Sequence, residues 1–473
     1  MSEAVDCDVC IIGAGSAGLS AASGAAQLGM RTVLFERDTM GGDCLNYGCV
    51  PSKALLASAK AAADARGAAR LGVKASEIAV DFKAVMSHVR RSIDAISPKD
   101  SVERFERLGV RVIKAEAKFV GPRDVTGGGF RVQARRFVIA TGSTVRMPPI
   151  PGLGDVGALS NETIFSLDRC PAHIVILGGG ATGIEMAQAF RKLGARVTLV
   201  ELERILGSEE PEFVDMLRRV LIGEGIELRE GTRVARVERD ADVITVMLDG
   251  QAESLRATHL LVATGRKPRV ESLDLEQAGV AFDDKGIAVD ARLRTTNPRI
   301  YALGDVAGGP LFTHVAGYHA GLFVRNALFR LPSRVDYRAV PSVIYTDPEL
   351  ARVALTEREA KEGSDKDPHV LKLDFTDNDR AQAEGATAGG IKVIARKNGT
   401  VIGASIMGRH AGELILPWTL LIARKLSLRA LTDLLVPYPT LSEISKAAAG
   451  AFYAPKLFSA WPRRVVRGLS FFS

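Results

Sequence analysis

Two stretches of this chain carry the same pattern, and that repeat limits its fold more than any other feature. Val5 to Ile12 is apolar and runs into Gly13-Ala14-Gly15-Ser16-Ala17-Gly18 and an alanine-rich stretch to Leu28. Arg31 to Phe35 is apolar again and ends on Glu36. The second copy has His173 to Leu177, then Gly178-Gly179-Gly180-Ala181-Thr182-Gly183, a helical stretch to about Leu193, and a strand ending on Glu201. In both copies the acid follows the first glycine by 23 positions (36 − 13 and 201 − 178). Strand, glycine turn, helix, strand, acid is a dinucleotide-binding unit. Gly13 or Gly178 permits the tight turn, and Gly15 or Gly180 lets a pyrophosphate reach the backbone. Gly18 or Gly183 lets the helix pack on the strand, and Glu36 or Glu201 takes a ribose hydroxyl. Two nucleotide sites follow, in an α/β chain built around parallel sheets.

Between the copies lies Gly41-Gly42-Asp43-Cys44-Leu45-Asn46-Tyr47-Gly48-Cys49-Val50-Pro51-Ser52-Lys53, at the start of a predicted helix running through Ala57. Sulfurs five positions apart there can pair in a small, easily reduced ring. A thiolate at a helix N-terminus is stabilised by exposed N–H groups and the dipole. Cys44 and Cys49 therefore read as a redox-active dithiol. With five cysteines in 473 residues the chain is no disulfide scaffold, so a reducing cytoplasm is expected. The start, MSEAVDCDV, lacks the basic and apolar pattern of a signal region, so none is expected, and no apolar run approaches 18 residues. A net charge of +7 suits acidic ligands such as dinucleotides, and no nucleic-acid module or metal site is expected.

The string GGDCLNYGCVPSK resembles the active-site segment of the flavoprotein disulfide reductases, which include dihydrolipoamide dehydrogenase, glutathione reductase and mercuric reductase. The likeness runs from about Asp6 to Gly450. It implies two Rossmann-like domains, for FAD and NAD, and an α+β C-terminal domain that makes a homodimer. By this resemblance residues 1–146 and 266–335 bind FAD, 147–265 bind the nicotinamide nucleotide, and 336–450 form the interface, leaving 451–473 as a tail. Cys44 would be the exchange thiol and Cys49 the thiol against the flavin. Lys53 would lie beside the flavin with Glu185 as its partner. Gly42, Thr141-Gly142 and Gly304-Asp305 would contact FAD, while Thr264-Gly265 ends the matching strand of the second unit. Glu201 favours NADH, because a carboxylate repels the 2′-phosphate of NADPH, with Arg204 softening that repulsion.

One departure concerns the acid–base pair. Where dihydrolipoamide dehydrogenase and glutathione reductase carry His-Pro-x-x-x-Glu, this chain has Tyr438-Pro439-Thr440-Leu441-Ser442-Glu443. Tyr438 and Glu443 are thus the candidate acid–base residues. Mercuric reductases share the tyrosine and resemble the Asp379-Arg380-Ala381 stretch, but end in a cysteine pair, and no cysteine follows Cys170 here. His314 and His319 read as packing or flavin-pocket residues. The reading is an oxidoreductase moving electrons from NADH through FAD and Cys49–Cys44 to an unidentified small-molecule or protein disulfide or oxidant. Its rivals are a dihydrolipoamide dehydrogenase with altered acid–base chemistry, a metal-ion reductase, and a flavin-bearing redox sensor or membrane adaptor. From Phe452 on, Leu457, Phe458, Trp461, Val465, Val466, Leu469, Phe471 and Phe472 alternate with Arg463, Arg464 and Arg467, a composition suited to peripheral membrane contact.

Residues 54–107 are expected as long helices, Gly127-Gly128-Gly129 as a hairpin tip, and Glu413 to Lys425 as one helix.

Overall fold

The computed structural model describes residues 3–75, 77–363 and 367–471. The chain forms two compact units. One comprises Met1–Ala61, Ala79–Leu202 and Glu227–Val335, the other Ala62–Ile78, Glu203–Ile226 and Asp336–Ser473.

The first unit holds both glycine-turn repeats. Strands β1 (Glu3–Ile12) and β2 (Thr32–Glu36) flank helix α1 (Ser16–Gln27), and β3 (Val110–Lys114) extends the sheet. The order is β3-β2-β1-β6, where β6 is Phe130–Ile139, and all three neighbouring pairs are parallel. Both faces of such a sheet are covered, so β2 is buried at every residue. A meander of β4 (Lys118–Gly121) and β5 (Asp124–Gly127) pairs with the first half of β6 around the expected hairpin tip at Gly127–Gly129. The second half of β6 pairs with Ile300–Ala302, the strand that delivers Gly304 and Asp305.

The second repeat forms a parallel four-stranded sheet ordered Glu227–Arg229, Arg196–Val200, His173–Leu177 and His259–Val262. Its helix is Ala181–Leu193. The helix Pro211–Gly223 lies inside the segment expected to bind the nicotinamide nucleotide, yet it clusters with the second unit. The cause is ionic. Lys392, almost fully buried, bonds Glu210 at 2.7 Å, Glu357 at 2.6 Å and Glu212 at 3.3 Å. Arg352 meets Glu209 at 2.9 Å. A buried ammonium with three carboxylates within reach is compensated in a way a lone one is not.

The rest of the second unit is a five-stranded antiparallel sheet ordered Pro341–Ile344, Glu349–Ala354, Val401–Gly408, Gly390–Ala395 and His369–Asp374. Its core centres on Trp418, Phe375, Ile415, Leu421 and Phe452.

One helix expectation is met in pieces, and a second helix and one boundary are corrected. Residues 54–107 form the expected helices: α3 (Cys49–Gly67) passes into a short turn to Leu71, and Phe82–Ile96 and Val102–Arg107 follow, capped by Asp81 and Ser101. These short polar side chains take the orphan backbone N–H groups and so set the starts. The expected Glu413–Lys425 helix is two, Ala411–Leu414 and Leu416–Ala423, with Pro417 in the first turn of the second. The tail does not begin at 451, because helix Glu443–Leu457 runs through that point and buries Phe452.

Candidate active site

The two cysteines do not share a helix. Cys44 sits in α2 (Gly42–Asn46), Tyr47 and Gly48 interrupt, and Cys49 opens α3. Cys44 thus lies in the first turn of α2 and Cys49 at the start of α3, two helix starts in place of the one expected. Both cysteines are free thiols. Cys44 donates to the Cys49 sulfur, and that bond is the largest influence holding Cys49 down to about 6, well below an ordinary thiol. The Thr313 hydroxyl, 3.2 Å from Cys49 Sγ, and the Lys53 ammonium act in the same direction. Cys44 moves the opposite way, pushed up by the same hydrogen bond and by burial. One sulfur is poised as thiolate while the other keeps the proton.

Lys53 lies one turn past Cys49 on α3, and its Nζ meets Glu185 Oε2 at 2.8 Å. Glu185 comes from the Ala181–Leu193 helix and is buried. The pair expected from the sequence is formed. It joins the dithiol helix to the second glycine-turn repeat and sets a cation beside the dithiol.

The backbone turns match those required for nucleotides. A Cβ on Gly18 would stand 1.8 Å from Gly13 O, and one on Gly183 1.9 Å from Gly178 O, so each helix packs against its own turn only because these residues are glycine. The N-caps Gly15 and Gly180 supply no side-chain cap to their helices. A Cβ on Gly180 would meet nothing within 4 Å, and one on Gly15 only Gly42 Cα at 3.9 Å. Uncapped N–H groups with open space in front suit a phosphate. The acids sit at the same turns: Glu36 accepts from Ala14 N at 2.7 Å, and Glu201 from Gly179 N at 2.5 Å. These residues fit an FAD and a nicotinamide nucleotide. Arg204 spends its charge on Asp215 at 3.3 Å.

Asp305 accepts from Ser143 Oγ at 2.5 Å, and Ser143 accepts from Arg266 Nε at 2.7 Å. Arg266 also meets Asp43, beside Cys44, at 3.2 Å, and Asn161 donates to Asp43 at 2.8 Å. Sequence reasoning missed Ser143, Arg266, Asn161 and Thr313. A signal existed for two of them, since Ser143 and Arg266 each follow a threonine-glycine turn. The turns themselves interlock: Thr141 Oγ1 donates to Arg269 O at 2.7 Å and Thr264 Oγ1 to Arg146 O at 2.8 Å. Both threonine hydroxyls thus serve the crossing, while Gly142 and Gly265 take positive φ.

His319 is fully buried, and its Nδ1 accepts from Gly304 N at 3.1 Å. Burial drops it to about 4, so it stays neutral and braces the turn before Asp305. His314 stacks on Phe312 with centroids 5.0 Å apart.

In the second unit Tyr438 is exposed, and its hydroxyl donates to Asp379 Oδ2 at 2.9 Å. Glu443 accepts instead from Thr440 N at 3.2 Å. Glu443 keeps its place in the string, but the carboxylate on the phenol is that of Asp379. That carboxylate raises the phenol above its ordinary value, which makes it a poorer base still.

The sequence pattern of the pyridine nucleotide-disulphide oxidoreductases matches residues 7–320, and that of their dimerisation domain matches 340–449. Mercuric reductase of Streptomyces lividans is 38% identical over 456 residues, covering 94% of this chain and 96% of that protein. Dihydrolipoyl dehydrogenase of Thermus scotoductus is 36% identical over 468 residues, covering 94% and 97%. Among solved structures, the Cu(II) complex of the HOCl-induced flavoprotein disulfide reductase RclA from Escherichia coli superposes with a TM-score of 0.85 at 27% identity, covering 93% of this chain and 99% of that one. Members of this group bind FAD and a pyridine nucleotide, and the dimerisation domain indicates a homodimer. With the dithiol, the paired glycine turns and the dimerisation domain in one chain, the protein belongs to the pyridine nucleotide-disulphide oxidoreductase family.

Proposed function

We propose that this enzyme draws electrons from NADH through FAD into the Cys44–Cys49 pair and passes them to an oxidised thiol or a thiophilic metal ion. The observation that carries this reading is the geometry of the dithiol, in which the Thr313 hydroxyl stands 3.2 Å from Cys49 Sγ and Lys53, one turn further on, is held by Glu185 at 2.8 Å. In this reading residues 1–146 and 266–335 hold FAD, 147–265 hold NADH, and 336–450 form the dimer interface.

Bound FAD would supply the disulfide with two electrons drawn from the nicotinamide nucleotide. Those two electrons and one proton convert the Cys44–Cys49 disulfide to a Cys44 thiol and a Cys49 thiolate. Thr313 and Lys53 stabilise that thiolate, and Glu185 orients Lys53. Cys44, the sulfur assigned to exchange, then loses its proton and attacks the acceptor. Cys49 displaces the reduced acceptor and restores the disulfide.

Oxidation of a dithiol substrate needs a base, and a phenol already donating to Asp379 is a weak one. This supports the NADH-consuming direction over dihydrolipoamide oxidation. Glu201 supports NADH over NADPH. The same reading gives the tail a peripheral contact with a membrane.

The test is anaerobic NADH titration followed by turnover against disulfides, dihydrolipoamide, Hg(II) and Cu(II). Titration should take up more than two electrons per FAD and raise a thiolate-to-flavin absorbance band that Cys49→Ser removes. Rapid dihydrolipoamide oxidation, or a band that survives Cys49→Ser, overturns the reading.

A further inference from the structure

The end of the chain forms a helix, Ala460–Leu469, with no buried residue. At about 100° per residue, Trp461, Pro462, Val465, Val466 and Leu469 fall within an arc of about 140°. Arg463, Arg464 and Arg467 fall within an arc of about 100° centred on the opposite face. Leu457, Phe458 and Phe471 flank the helix and are also exposed, as is Trp461 at 73%. Phe472 and Ser473 lie outside the described residues.

Charge selects the occupant of this face. No aspartate or glutamate follows Glu443, whereas Lys446, Lys456 and the three arginines do. A helix with a tryptophan-bearing apolar face, an all-arginine polar face and no acid is built to lie in the headgroup layer of an anionic bilayer. Its apolar face would enter the acyl boundary, and the arginines would reach phosphates through their long side chains. The dimerisation-domain match ends at residue 449, so it does not include this helix.

We infer that the 458–471 segment is an anionic-lipid anchor that holds the reductase at a membrane surface. The inference rests on the peripheral contact read for the tail above and is independent of the acceptor. It also relocates the boundary of the anchor. Removing everything after Gly450 would delete Phe452 from the core, whereas a cut after Phe458 leaves that core whole.

The experiment uses the full-length holoenzyme with phosphatidylcholine vesicles, with and without phosphatidylglycerol, at low salt. Trp461 reports directly, because the other tryptophan, Trp418, is fully buried. Phosphatidylglycerol vesicles should co-sediment the enzyme and shift Trp461 emission to the blue, with NADH turnover unchanged. Replacing Arg463, Arg464 and Arg467 together by alanine should weaken binding by about 100-fold, since each cation near such a surface contributes about a five-fold factor. Trp461→Glu and deletion of 459–473 should also abolish it. Equal binding to neutral vesicles leaves the peripheral contact standing and overturns the anionic specificity. Absence of binding to either vesicle overturns both, and so does a Trp461 shielded from iodide without lipid, which means another copy of this chain covers the face.

Discussion

The two glycine-turn repeats share a backbone and divide the chemistry. Gly13 and Gly178 adopt φ of +101° and +108°, each helix presses a glycine against its own turn, and each acid bonds the N–H one residue past the first glycine. The side chains then part company. Seven residues past the first glycine stands Ser20 in one copy, exposed, and Glu185 in the other, buried against Lys53. Glu36 also accepts from Asp38 N, which closes its turn. The comparison teaches that one backbone cradle occurs twice, while one buried carboxylate in one copy ties that copy to the dithiol.

Replacing the packing glycines should break this symmetry most severely. Gly18→Val should yield protein without flavin. Gly183→Val should keep FAD and lose NADH, with KM for NADH up by about 100-fold, the scale of a displaced binding backbone. Flavin absorbance and NADH-dependent bleaching check this, and loss of flavin from both variants would refute the division of labour.

Glu185→Gln and Ser20→Ala test the side-chain difference. The first should slow NADH-dependent reduction of the disulfide by about 10- to 100-fold, because the Lys53 cation loses its partner and its position. The second should leave the rate unchanged. Stopped-flow flavin kinetics distinguish them, and equal effects would remove the functional asymmetry.

The acids should differ more mildly. Glu201 should make kcat/KM at least about tenfold higher for NADH than for NADPH, roughly 1.4 kcal/mol. Glu201→Gln should narrow that ratio, whereas Glu36→Gln should weaken FAD retention and leave it alone. Equal use of both nucleotides by the native enzyme counts against the assignment.

The smallest effect concerns Cys49. With its thiol near 6, the reduced protein carries thiol below that pH and thiolate above it, so the absorbance band should rise as pH passes through 6. Thr313→Val removes a hydrogen bond to the thiolate and should move the midpoint up by about half to one unit. An unmoved midpoint means Thr313 only packs.

Much of this was legible in the residue order. The repeats, the dithiol and the Lys53–Glu185 partnership follow from spacing and from a family resemblance that spacing makes specific. The helix breaks were less so. Tyr47-Gly48 splits the cysteine helix, although Cys44 and Cys49 read locally as one segment, and a Cβ on Gly48 would stand 3.1 Å from Asp43 O and Oδ2. The hydroxyl of Tyr438 finds its partner in Asp379, 59 positions away, which nothing in the local string indicates.

What the sequence determined by itself was local: where glycine allows a turn, where apolar residues recur as strands, and where two sulfurs come within reach. Those properties depend on neighbours along the chain. The tertiary structure alone decided that Ser143, Arg266 and Asp43 join one network, that Thr313 faces Cys49, and that Lys392 gathers Glu210, Glu212 and Glu357. Polar partnerships of this kind span from about 35 to more than 260 positions. They are set by which strands and helices pack together, since a buried charge or hydroxyl is satisfied by whatever the fold brings within about 3 Å.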